Sequence, residues 1–473
     1  MREIYVPFCR CLFFAYLLAM ISFGRTFALQ RIHLNGFPIF VTEILLFFCL
    51  PVILIGIRRL GRIGLPGFFI TAVGLFFLLT GAHFIGALWH QHNYAFRDSI
   101  LGLYILFVPL TVGLSENKSG NGWIYYIFAA NIISLILGRI MVDFFIYGEK
   151  IYFFSNFIKP VIFSLKGSQV CLYYNFVCAL LLFMIFLGKK GLSRFLCVLL
   201  LSMNLYMLYF MICRAAWLAA FILIIFCGFI FWKKENWRTW GTIAGLFILF
   251  IALFFSYDIY IRKINTSQFA LAKINSFWYE DKIDSNFKNL PEPSCANPVT
   301  PQEKQEISNH FAAIVKMGSF ASVSWRFDIY RRYIALGMES PIWGSGFGVY
   351  PNFTGLADMV INPDNIEGFF IQSLVTPAHN ELVSLFAKVG LFGILLFLVI
   401  NIYVWNEGLR LFRAALPQEK IILGACLGCI LVWHVMALTF DIIDSPPTNY
   451  ILWVLIGVIL SKRGFIEKSA KEA

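Results

Sequence analysis

Charge is scarce in this sequence. Of its 473 residues only 14% are Asp, Glu, Lys or Arg, against 59% hydrophobic and 52 phenylalanines. A soluble domain has too little interior to hide that much apolar surface, so a water-soluble fold is excluded. Heptads and short internal repeats are lacking, which excludes a coiled coil and a solenoid. There is no Walker motif, no GxSxG, no HExxH and no DxD pair, so neither a metal-bound nucleotide sugar nor a serine hydrolase is indicated. Eleven cysteines are present, but the Cys426–Cys429 pair has no second pair to complete a zinc site. It falls in an apolar segment, as do Cys49, Cys171, Cys178, Cys197 and Cys227, and reads as packing. No metal and no cofactor is expected.

What the sequence has in abundance is apolar runs of about 20 residues, each the length of a bilayer crossing. Twelve are expected, near 7–24, 39–56, 68–89, 98–114, 122–147, 169–188, 195–212, 215–232, 239–257, 382–405, 421–440 and 448–460. The fold class is therefore an all-α polytopic membrane protein, with 1–473 as a single integral membrane domain. The first run has no small-residue cleavage site and reads as a retained helix. The net charge of +12 is not a nucleic-acid footprint, because Lys and Arg cluster in short connections between runs. These are 57–62 (IRRLGR), 189–194 (KKGLSR), 233–238 (KKENWR), 409–413 (LRLFR) and the tail from Ser461. Basic connections stay in the cytoplasm. Both termini are then expected there.

One connection differs. Residues 258–381 lie on the outer side and are too many for a structureless loop. Thr300, Pro301 and Glu303 read as N-cap, first residue and capping-box partner of a helix that Gly318 ends. A second helix is expected from Ser322 to Leu336 with Gly337 as its stop, placing Arg326, Ile329, Tyr330 and Tyr333 on one face. The stretch SPIWGSGFGVYPNF (340–353) is a glycine-rich turn whose backbone can approach a ligand or another helix closely.

Three residues suit chemistry at the outer face. Thr376 and Pro377 read as the start of the tenth span, which puts His379 in its first turn. There the helix dipole disfavours imidazolium, leaving a neutral ring able to accept a hydroxyl proton. The alternative is an interfacial histidine bonded to headgroups. Arg214 stands between spans seven and eight with almost no loop. It either holds an anion or snorkels to lipid phosphate. Arg326, near Arg331 and Arg332, is either a solvated surface arginine or a third member of the set. Two guanidinium forks and one imidazole suit a diphosphate substrate, since Arg binds phosphate oxygens bidentately and stays charged.

Weaker candidates complete the list. His90 and His92 have no acidic partner for a metal, while Arg97 beside them is a further anion contact. Arg139 and Asp143 are spaced to pair with each other. Glu43, Lys388 and His434 are intramembrane polar groups that either line a cavity or serve as hydrogen-bond posts.

Three segments, CRAAW (213–217), WRFDIYRRYIALGMESPIWGSGFGVYPNF (325–353) and PAHNELVSLFAKVGLFGILLF (377–397), resemble the O-antigen ligase and polymerase family of bacterial inner membranes. Their order, spacing and twelve-span setting fit that family over roughly 210–400. Cys213 departs from the small hydroxyl residue common there. The resemblance implies metal-independent glycosyl transfer at the periplasmic face, from a glycan on undecaprenyl diphosphate. The acceptor is a lipid A-core sugar in a ligase, or another lipid-linked repeat in a polymerase. It further implies that His379 activates or orients the acceptor hydroxyl and that Arg214 and Arg326 hold the diphosphate. Arg97, Tyr330 and Asn380 are expected to join the substrate site. A ligase is the preferred expectation. A flippase for the same lipid also needs arginines, but should show paired repeats or broken helices, and the sequence displays neither.

Overall fold

The structure, a computed structural model, describes residues 2–28, 31–34, 37–90, 95–115, 168–188, 191–210, 213–231, 319–351, 380–439 and 446–472. It also describes Ala378 and isolated residues within 131–136 and 237–245. The expected helix at 300–317, the Arg139–Asp143 pair, His92 and most of the fifth and ninth runs lie outside the described residues.

The described chain is helical, with one exception. The helices are α1 (Arg2–Ala28), α2 (Val41–Phe48), α3 (Leu50–Arg62), α4 (Gly67–Trp89), α5 (Ala95–Leu103), α6 (Phe107–Leu114) and α7 (Ser168–Leu187). They continue as α8 (Leu192–Phe210), α9 (Arg214–Ile230), α10 (Ser319–Glu339), α11 (Glu381–Ala414), α12 (Pro417–Ala437) and α13 (Pro446–Glu472). The exception is small: β1 (Arg31–Leu34) and β2 (Phe37–Phe40) form an antiparallel hairpin, from Arg31 opposite Phe40 to Leu34 opposite Phe37. It connects α1 to α2, between the first and second expected spans.

Helices cover ten of the twelve expected runs. Among the described residues α4, α11 and α12 are long and apolar enough to cross a membrane, and α2 with α3 forms a further span bent by 67°. That bend has a cause in the sequence: Pro51 lacks the N–H that a continuous helix would need and is accepted in the first turn of α3. The large exposed residues of α4, such as Phe68, Leu78 and Ile85, are apolar. An outward apolar face is a liability in water and the normal state in lipid.

Small residues let the spans approach. A Cβ on Gly56 of α3 would lie 1.7 Å from the Pro109 carbonyl oxygen of α6. One on Gly113 of α6 would lie 2.3 Å from the Val52 carbonyl oxygen. This is how helices pack where lipid supplies no hydrophobic drive. In α12, Cys426 and Cys429 are buried, and the Cys429 thiol lies 3.6 Å from the Phe176 carbonyl oxygen. The pair is packing material, as its apolar setting suggested.

The bundle has two unlike ends. At one, basic side chains cover helix ends. Arg59 donates to the carbonyls of Val112, Gly113 and Ser115 at 3.1, 3.2 and 2.6 Å, and Arg10 donates to Leu114 at 2.9 Å. These carbonyls end α6 and have no partner within the helix. Arg463 donates to the Tyr403 hydroxyl at 2.7 Å, and Lys462 pairs with Glu419 at 2.7 Å. The other end gathers the starts of α5, α7, α9, α11 and α13 with the ends of α4 and α12.

Candidate functional site

The end opposite the basic clusters is assembled around α11. Asn380 is its N-cap: the side-chain Oδ1 accepts from the Val383 N–H at 3.2 Å. This corrects the expected start at Thr376 and Pro377, which lie outside the described residues, as does His379. Asn380 wins because its short amide side chain satisfies an orphan N–H of the first turn. Its Nδ2 donates to the Leu438 carbonyl at 2.9 Å, which ties the start of α11 to the end of α12.

The next link reaches Arg214. The buried Asn175 of α7 donates to the Ala216 carbonyl at 3.1 Å and lies 4.0 Å from the Met436 sulfur. Ala216 is in the first turn of α9, which Arg214 opens with Cys213 as N-cap. The Trp217 indole N–H donates to the Leu208 carbonyl at 3.0 Å, closing the corner between α8 and α9. The tight hairpin expected around Arg214 is therefore present. The backbone of Arg214 is described; its side chain is not, and the same holds for Arg326 and Arg97.

Arg326 is carried by α10. Ile329 and Tyr333, one and two turns beyond it, are buried with Ala378 and Ala387, and Leu336, Tyr350 and Val383 close the cluster. The helical spacing thus puts position 326 on the face of α10 turned toward the start of α11. Tyr330 is half-buried, its ring 6.1 Å from that of Phe327. Gly337 does not stop α10, although the sequence suggested that it would. The helix runs on to Glu339, and a Cβ at Gly337 would lie 2.5 Å from the Phe386 ring. Close packing, not termination, is what the glycine provides.

Beyond α10 the glycine-rich turn enters a break in α11. Gly390 has φ 64° and ψ −170°, which no helix allows. The backbone groups released there are taken up by the turn. Ser345 and Gly346 donate to the carbonyls of Ala387 and Lys388 at 2.7 and 3.2 Å. Leu391 and Phe392 donate to the carbonyls of Pro341 and Ile342 at 2.9 and 3.1 Å. Gly344, at φ 82°, has room for no side chain: a Cβ would lie 2.4 Å from the Lys388 carbonyl carbon. The turn's glycines serve close backbone approach to another helix, one of the two uses expected of them.

This break also corrects the expectation of unbroken helices. A broken helix is present, but its freed groups are satisfied within the chain. In carriers such groups are left to bind an ion or substrate.

Charges lock the turn. Lys388 of α11 pairs with Asp98 of α5 at 2.8 Å, with side-chain exposures of 2% and 0%. Asp98 also accepts from the Gly348 N–H at 2.7 Å and from the Tyr350 hydroxyl at 2.5 Å. The Lys388 ammonium lies 5.4 Å from the centre of the Tyr350 ring. His83 of α4 meets the Trp343 carbonyl at 2.8 Å. Of the three intramembrane groups left open by the sequence, all are hydrogen-bond posts. Lys388 holds Asp98; Glu43 accepts from the Phe40 N–H at 2.8 Å and the Tyr104 hydroxyl at 3.1 Å; His434 meets Asn401 at 3.2 Å.

The sequence signal for Asp98 was available. A lone acid and a lone base inside apolar runs are each costly in lipid, so each implies a partner. What is missing from sequence is which of several charges pairs with which.

The elements carrying Arg97, Arg214, Arg326, Tyr330 and Asn380 thus meet at one end of the bundle, with position 379 directly before a cap in that group. Such an end, apolar in its surroundings and rich in arginine positions, can receive an anionic lipid headgroup. No curated protein matches the chain. A family model described as O-antigen ligase matches residues 195–398, a segment that contains positions 214, 326 and 379. The match implies a glycosyltransferase-like role on lipid-linked glycans in general, and with the apolar helices it makes this a membrane protein. Residues 195–398, from α8 into α11, thus match a family model described as O-antigen ligase, and that match supports an O-antigen ligase-like family for this segment.

Proposed function

We propose that the protein is a periplasmic-face glycosyltransferase of the inner membrane, moving a glycan from undecaprenyl diphosphate to a sugar hydroxyl of the lipid A core. The observation that carries this reading is the family match, which spans all three positions proposed for the chemistry. Supporting it, the elements bearing Arg214 and Arg326 and the cap at Asn380 share the end opposite the basic clusters. Basic clusters mark the cytoplasmic side, so the site end faces the periplasm.

In this mechanism His379 takes the proton of the acceptor hydroxyl as its oxygen bonds to the anomeric carbon of the donor sugar. The bond from that carbon to the diphosphate oxygen breaks, and undecaprenyl diphosphate leaves with the electron pair. Arg214 and Arg326 hold the diphosphate and stabilise its charge as it departs, with no metal required. Arg97, Tyr330 and Asn380 line the approach, Asn380 by fixing the cap that precedes position 381. Both substrates are membrane-anchored, which accounts for a site at the bilayer surface.

His379→Ala is expected to abolish glycan attachment while the protein still inserts. A normal ladder of capped lipopolysaccharide in cells carrying that variant would overturn the assignment. A deletion strain separates ligase from polymerase. Loss of all surface polymer, with long lipid-linked chains accumulating, identifies a ligase; surviving caps of one repeat identify a polymerase.

A further inference from the structure

We propose that Asp98, Lys388 and Tyr350 form a positioning post for the transfer reaction, pinning the glycine-rich turn in the break of α11 and thereby fixing α10 against the start of α11. The proposal rests on the transferase reading and deepens it. Asp98 lies outside the residues that the family model matches.

Three observations carry it. First, the groups come from three separate elements: Asp98 from α5, Lys388 from α11, and Gly348 and Tyr350 from the turn. A pair within one helix would leave relative placement untouched; this one joins all three. Second, the carboxylate is filled by donors, with Lys388 and Tyr350 on one oxygen and the Gly348 N–H on the other. The ammonium is buried and engaged by it, so Lys388 is a poor contact for a diphosphate and a good anchor for backbone. Third, the anchored backbone is the interlock itself. The Lys388 carbonyl accepts from Gly346, and Gly344 abuts the same peptide.

The consequence runs to the site. The turn continues directly from α10, whose Ile329 and Tyr333 pack on Ala378 and Ala387. Moving the turn moves α10 along α11, and with it position 326 relative to position 379. Reaction rates are sensitive to such shifts, about 100-fold for a displacement near 1 Å. Apolar residues of similar size often replace a buried ion pair without loss of stability. A hydrocarbon pair lacks the directional bonds that pin the turn, so placement and stability are separable by substitution.

The test uses the full-length protein in lipid nanodiscs with a purified lipid-linked glycan donor and lipid A-core acceptor. Transfer kinetics are measured together with hydrogen exchange at the amides of Ser345, Gly346, Leu391 and Phe392. For Lys388→Met, kcat is expected to fall about 10-fold to 100-fold with donor KM little changed, and the four amides to lose protection. Lys388→Arg should recover part of kcat, and Tyr350→Phe should show a smaller loss than Lys388→Met. If the single variant fails to fold, the double variant Asp98→Leu with Lys388→Met removes both charges and should show the same loss of kcat. Retained protection at the four amides would overturn the post, and lost protection with normal kcat would overturn its positioning role. Failure of the transferase reading shows differently: His379→Ala stays active, while the exchange result is unaffected.

Discussion

At the basic end of the bundle, Arg410, its side chain 53% exposed, pairs at 2.7 Å with Glu407, which is 7% exposed and has Arg463 as a second basic neighbour at 3.5 Å. At the opposite end, Lys388 pairs with Asp98 at nearly the same distance with almost no exposure. Equal geometry has different consequences in the two places. A pair whose cation stays in water gains little, typically ~0–1 kcal/mol, and Glu407 keeps Arg463 if Arg410 is lost. A buried pair gains little over apolar residues of its size, yet losing one partner strands a charge at a cost of ~3–5 kcal/mol. At the basic end the arginines and lysines cap helix ends, and losing one leaves other basic side chains nearby. The other end needs particular charges in particular places, because they decide which backbone segments meet.

The sharpest way to break this contrast is at Asp98. Asp98→Ala alone is expected to destabilise the protein by ~3–5 kcal/mol, measured as the thermal midpoint in detergent. A midpoint like that of the unaltered protein would make the two ends equivalent. Next in size is Gly390→Ala, where positive φ combines with a Cβ 2.3 Å from the Ile342 carbonyl oxygen. A loss of about 3 kcal/mol is expected, since neither partner is a flexible side chain. Unchanged stability there would mean that the turn does not occupy the break.

Smaller effects distinguish function from fold. Arg214→Lys should leave the midpoint near its starting value but lower glycan transfer, because an ammonium cannot replace the bidentate fork. Full transfer in that variant would remove the fork from the reaction. Smallest of all, Arg410→Ala at the basic end should cost less than ~1 kcal/mol and leave transfer intact, since the arginine is 53% exposed and Glu407 keeps Arg463. A large loss of transfer there would tie the two ends together.

Much of the fold was legible in the sequence, and for a simple reason. A bilayer forces every spanning backbone to satisfy itself, so apolar length alone predicts a helix. Local side-chain rules did less well near the site. Pro377 looked like a helix start, yet Asn380 is the cap, because a side-chain acceptor for Val383 decides the matter. Gly337 looked like a stop, yet it is a contact surface for Phe386. In each case two uses of one residue type give the same local pattern, and only the neighbour tells them apart. Lys388 shows the same limit, since its charge was visible but its partner lies 290 positions away.

Sequence by itself determined that this chain lives in a membrane, that its basic connections mark one side, and that residues 195–398 carry the O-antigen ligase pattern. Those properties depend on composition and short motifs, which survive any arrangement of the helices. Tertiary structure decided that the glycine-rich turn fills the break at Gly390 and that Asp98 answers Lys388. Both depend on contacts between distant segments, whose energies arise only when water and lipid are excluded from between them.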